Sequence, residues 1–139
     1  MVRQGKVAIA DGQAWGSRRQ DAQAFRKAAE TLEAVAEEGQ NCNPIIVLII
    51  HAAIAYGDAL TARFGGTVNR GNHDDLWRRV KQAMKGRADE PQISRLKDLL
   101  GNKTAYSYGA KIGRLNDMRE MLKQLKRFEL WAEEQLTSG

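Results

Sequence analysis

Apolar positions recur at spacings of three and four along most of the chain. Ala22, Phe25, Ala29, Leu32 and Ala36 make one such face. Ser17-x-x-Gln20 ahead of it has the form of a capping box, so the pattern predicts a helix over 18–38 closed by Gly39. Pro44 suits the first turn of a second helix, over 43–65, which leaves at Gly65-Gly66. That helix is apolar nearly all round and is expected at the centre of a bundle or in an interface. Asn72 with Asp75 resembles a further cap, and Leu76, Trp77, Val80, Ala83 and Met84 predict a third helix over 73–85. Ile93, Leu96, Leu99 and Leu100 predict a fourth over 91–102, and the glycines at 101, 109 and 113 a broken helix after it. The stripe Ile112, Leu115, Met118, Leu122, Leu125, Phe128 and Ala132 predicts a last helix over 114–136. No strand-like alternation of any length occurs. The expected fold is all-α: an up-and-down bundle of four main helices plus a short extra helix. Residues 1–16 read as a flexible arm with at most a short extended piece, and residues 17–139 as one domain.

Composition narrows this little. Of 139 residues, 42% are hydrophobic and 28% charged, which suits a folded domain with a proper core. Two prolines and few aromatic residues favour helices over sheets. The single cysteine, Cys42, cannot form an internal disulfide. The run Ile45–Ala55 is broken by His51 and is shorter than the roughly 20 residues of a membrane span. The chain is therefore expected to be cytoplasmic, with no membrane contact. A net charge of +5 permits a nucleotide or nucleic-acid partner without requiring one.

Most catalytic templates are missing. There is no P-loop, no dinucleotide fingerprint and no tight metal-ligand spacing, so neither a cofactor nor a metal is expected. A Cys42–histidine nucleophile pair has no third group to orient it. The informative residues are polar ones on apolar faces. His51 and Asp58 interrupt the second helix seven residues apart, on one face and about 10 Å apart along the axis. Each needs a partner from another segment. His51 reads as a core histidine satisfied by a carbonyl or another side chain, and Asp58 as half of an ion pair or as the floor of a polar pocket. Lys103 extends the rows Leu96-Leu100-Lys103 and Leu96-Leu99-Lys103, and Tyr106 follows one turn on. Both point inward if the helix continues past Gly101. Otherwise Lys103 snorkels along the edge of the core.

The runs "HAAIAYGDALTARFGGTVNRGNHDDLWRRV" and "LKDLLGNKTAYSYGAKIG", followed by a long final helix, resemble the HEPN superfamily of helical bundles. The likeness covers roughly residues 20–136. It implies a bundle of four main helices, often dimeric, that binds or acts on nucleotides or RNA. Many members are metal-independent RNases in which four to six residues separate an arginine from a histidine. This chain lacks that spacing. Two residues separate Arg70 from His73 and nine separate Arg63 from it, and the nearest arginine before His51 is Arg26.

The resemblance thus implies a member without the RNase motif. Asp58, His73, Lys103 and Tyr106 are the expected ligand-binding residues, and Arg70, Arg78 and Arg79 the expected nucleic-acid contacts. The leading expectation is a non-catalytic module that binds a nucleotide or RNA, as the partner of a nucleotidyltransferase or in a toxin–antitoxin-type system. It is expected as a homodimer or with a protein partner. The alternatives are an antitoxin-like interaction subunit and a hydrolase using His73.

Overall fold

A computed structural model describes residues 7–9, 14–69 and 73–138. The described elements are β1 (Val7–Ile9), α1 (Ala14–Val35), α2 (Asn43–Leu60), β2 (Thr67–Asn69), α3 (Leu76–Met84), α4 (Glu90–Gly101), α5 (Lys103–Ser107) and α6 (Leu115–Thr137). The fold is all-α. Its long members are α1, α2, α4 and α6, with the shorter α3 and α5 between them. The exception is a two-stranded antiparallel ribbon, in which Ala8 stands opposite Val68. It places an extended piece of the expected arm against the exit of α2.

α2 is the axis of the bundle. From Ile45 to Leu60 it buries almost every side chain, against α1 on one side and α6 on another, with α3, α4 and α5 completing the wall. With the turn that follows, α2 is long and apolar enough to cross a membrane, but most of it lies inside the protein, as a core helix would.

Two sequence expectations about helix ends fail. Ser17 lies inside α1, which already includes Ala14, so the expected capping box is not a cap. Helix α1 stops at Val35, four residues before Gly39. The expected cap at Asn72 lies outside the described residues. α3 opens at Leu76, later than the apolar pattern suggests.

Polar clasps fix the packing. On the α1–α6 seam, Arg19 pairs with Glu133 at 2.9 Å and Arg26 with Glu129 at 3.0 Å. The fully buried Tyr56 donates its hydroxyl to the same Glu129 at 2.8 Å. At the other end, Asn43 accepts from the Gly113 amide at 2.7 Å and donates to the Lys111 carbonyl at 2.8 Å. The Cys42 amide donates to the Gly113 carbonyl at 2.9 Å. Gly113 has no room for a side chain, because a Cβ there would collide with Ile46.

Candidate functional site

Asp58 lies within the last turn of α2, in its buried run, and what surrounds it follows from the residues beside it. Gly57 has no side chain, so Leu76 of α3 nests there; a Cβ on Gly57 would meet Leu76 Cδ2 at 2.7 Å. That contact brings the start of α3 over the end of α2. His73, three residues before Leu76, comes to 3.9 Å from Asp58, Nε2 to Oδ2. Just after Asp58 the chain widens into a π-helical turn, Thr61–Gly65, which closes on left-handed Gly66 at φ 68°. Such turns are rare and frequently mark functional sites.

Arg18 reaches in from α1. Its Nε and Nη2 donate to Asp58 Oδ2 at 3.2 and 2.9 Å, while Nη1 donates to Asp21 at 2.7 Å. Asp58 itself is 2% exposed. Its Oδ1 is buried without a hydrogen-bond partner among the described residues. Burial pushes the Asp58 carboxyl up from 3.8 to about 6, against the opposing pull of Arg18 and Arg79.

Lys103 sits at the first position of α5. Asn102 interrupts the helix before it and donates its side-chain amide to the Asp98 carbonyl at 2.9 Å. Lys103 is half-buried and has no carboxylate partner among the described residues. Its charge falls on both histidines. Burial lowers the pKa of His73, and Lys103, Arg18, His51 and Arg79 lower it further. His51 is lowered by burial, then by Lys103 and Arg18. Both imidazoles are therefore biased toward the neutral form, in which each ring has one donor and one acceptor nitrogen.

Of the four expected ligand residues, the structure brings His73 to Asp58, while Lys103 acts through its charge on His73 and His51. The structure does not bring Tyr106 to them. The Tyr106 ring packs beside Gly113 and lines a groove with Asn41, Asn43 and Val47 near the start of α2. Twelve residues of helix between Ile46 and Asp58 put that place about 18 Å along the axis. Arg78 is exposed and pairs with Asp75 at 3.3 Å. Arg79, expected on a nucleic-acid surface, acts instead on Asp58 and His73. Arg70 lies outside the described residues.

His51 departs from expectation. It is half-buried, stacks on Phe25 with ring centroids 5.4 Å apart, and makes no hydrogen bond among the described residues. It belongs to the polar cluster and is not a satisfied core histidine. Sequence reasoning also missed Arg18. The one signal for it was the demand of a buried Asp58 for a cation, which does not say which of 22 lysines and arginines answers. Cys42 takes no part: it is fully buried at the far end of α2, and burial raises its thiol pKa. Among the described residues no three His, Cys, Asp or Glu side chains form a metal-binding group.

The chemistry on offer is anion recognition. Arg18, Arg79 and Lys103 outnumber Asp58 and the exposed Asp21, and two neutral imidazoles add donors. No known protein family, curated protein or solved structure matches the chain.

Proposed function

We propose that the chain is a HEPN-like helical module that binds a nucleotide or RNA through a phosphate held by Lys103, Arg18, His73 and His51, without cleaving it. The observation that carries this reading is a half-buried Lys103 whose charge bears on both imidazoles and which has no carboxylate partner among the described residues. A lysine so placed is stabilised by an incoming anion. The Asp58 carboxylate supports the cationic wall by fixing Arg18. The missing arginine–histidine spacing supports a binding role over RNA cleavage.

A protein partner or second copy belongs to the same proposal, in keeping with an accessory subunit of a nucleotidyltransferase or toxin–antitoxin pair. Leu32, Val35, Tyr108 and Ile112 are exposed, at 41%, 72%, 84% and 51%. They lie toward the end of the bundle where Cys42 meets Gly113, away from the polar cluster. Apolar side chains grouped in this way favour an interface. Light scattering tests it: a homodimer that Val35→Asp converts to monomer supports the reading, and a wild-type monomer at high concentration removes the second copy.

The binding reading is tested by a thermal-shift panel of nucleotides and short RNAs on wild type and Lys103→Ala. A ligand that binds only the folded state stabilises it by about 2.7 kcal/mol at 100 times its Kd. Wild type is expected to respond and the variant to lose the response. No response from either sinks the proposal.

A further inference from the structure

Arg18 of the polar cluster borders one groove, and the chain neighbours of His73 and Lys103 border a second. Arg18, Asp21, Ala24, Phe25, Ala28 and Leu48 enclose about 460 Å³ along the α1–α2 face. Phe25 is the ring that stacks on His51. Trp77, Lys97, Asp74, Asp98 and Asn102 border a second groove of about 490 Å³. Asp74 follows His73 in the chain and Asn102 precedes Lys103, so this groove is lined by the chain neighbours of two cluster residues. Each groove offers an aromatic ring, Phe25 beside Arg18 in the first and Trp77 one helical turn after His73 in the second.

We propose that the occupant is a single-stranded dinucleotide step or longer. One base lies against the Phe25–His51 pair, the next on Trp77, and the linking phosphodiester meets His73, Lys103 and Arg18. This rests on the reading of the cluster as a phosphate site and extends it from a mononucleotide to a strand. The charge distribution favours this arrangement. The carboxylates of Asp74 and Asp98 repel phosphate from the Trp77 groove but accept hydrogen bonds from the exocyclic amines of bases. The cationic cluster has the opposite preference.

The indole is already visited by two cations. Arg78 lies 5.0 Å and Lys97 4.8 Å from its ring centre. A cation on an exposed aromatic face contributes no more than about a five-fold preference. A stacked base contributes about five-fold to more than a hundred-fold. A well-stacked base therefore competes with the cations for the ring; Lys97 is exposed, and Arg78 also pairs with Asp75. Neither Phe25 nor Trp77 is required for phosphate binding alone, so the strand and mononucleotide readings separate.

The experiment is an equilibrium titration with orthophosphate, AMP, ApA and its deoxy counterpart at one fixed salt concentration, on wild type, Trp77→Ala, Trp77→Phe and Phe25→Leu. ApA is expected to bind at least ten-fold more tightly than AMP. Trp77→Ala and Phe25→Leu should each bring ApA close to the AMP value, while Trp77→Phe, which keeps a ring, retains most of the gain. Thermal melts of the unliganded variants separate lost stacking from lost folding, and Trp77→Phe guards against a loss that reflects unfolding alone. The inference is overturned if ApA binds no more tightly than AMP, or if its advantage survives Trp77→Ala. If orthophosphate and AMP also fail to bind wild type, the reading of the cluster falls with it. The deoxy arm reports whether the 2′-hydroxyl matters.

Discussion

Replacing Asp58 with Asn should change how stability depends on pH, with a sign that the buried carboxylate fixes. Burial raises the Asp58 pKa from 3.8 to about 6, so the folded chain holds this proton more tightly than the unfolded chain. Its stabilising contribution is complete below pH 3.8 and is lost as pH rises through about 6. A displacement of about two units corresponds to about 3 kcal/mol in all, of which about 2 kcal/mol falls between pH 4 and pH 7. His51 and His73 act the other way. Their folded pKa values lie below the ordinary 6.5, so their contribution is gained as pH rises toward that value. The wild-type profile mixes both limbs, and the difference between wild type and Asp58→Asn isolates the carboxylate. Urea denaturation of both proteins at intervals from pH 4 to pH 7 measures it. Wild type should lose about 2 kcal/mol relative to the variant across that range. A difference that stays constant with pH, or that grows in favour of wild type, refutes the account of Asp58 as a carboxylate held against its solvation.

Two further substitutions test the frame that holds the site. Gly113→Ala drives a methyl group into Ile46 and crowds the Tyr106 ring, and overpacking of this kind costs about 1–3 kcal/mol, read from the shift of the denaturation midpoint. An unchanged midpoint would show that the Asn43–Gly113 clasp yields easily. Tyr56→Phe removes the 2.8 Å hydrogen bond to Glu129, a charged acceptor that Arg26 still holds, and should cost about 1.5–3 kcal/mol. A neutral result would mean that the Arg26 pair alone satisfies Glu129.

Much of the fold could be read from periodicity, because the helices carry their apolar residues at spacings that only a helix satisfies. The all-round apolar character of 45–60 marked α2 as the centre. Helix phase was also enough to set Asp58 facing inward, and His73, just before α3, lies 3.9 Å from it. What failed depended on non-local geometry. Tyr106 shares α5 with Lys103, but its ring packs at Gly113 near Asn43, a contact set by the return of the chain before α6 and not by spacing along the helix. His51 sits in the most apolar run of the chain, yet it is only half-buried and its ring stacks on Phe25 of α1. Arg18 depends on how α1 rolls against the exit of α2, which no local pattern encodes. The ribbon was missed because strands of three residues are too short to show alternation.

The most direct measurement is the NMR titration of the two imidazole rings, the only histidines in the chain. His51→Ala assigns the two signals. With AMP or orthophosphate present, both Cε1–H resonances should shift and both titrations should move to higher pH, because a bound phosphate offsets the Lys103 and Arg18 charges that now lower them. In Lys103→Ala the free protein should already titrate higher, and phosphate should move it little. Two histidine signals unmoved by millimolar AMP and orthophosphate would contradict the assignment of this cluster as a phosphate-binding site.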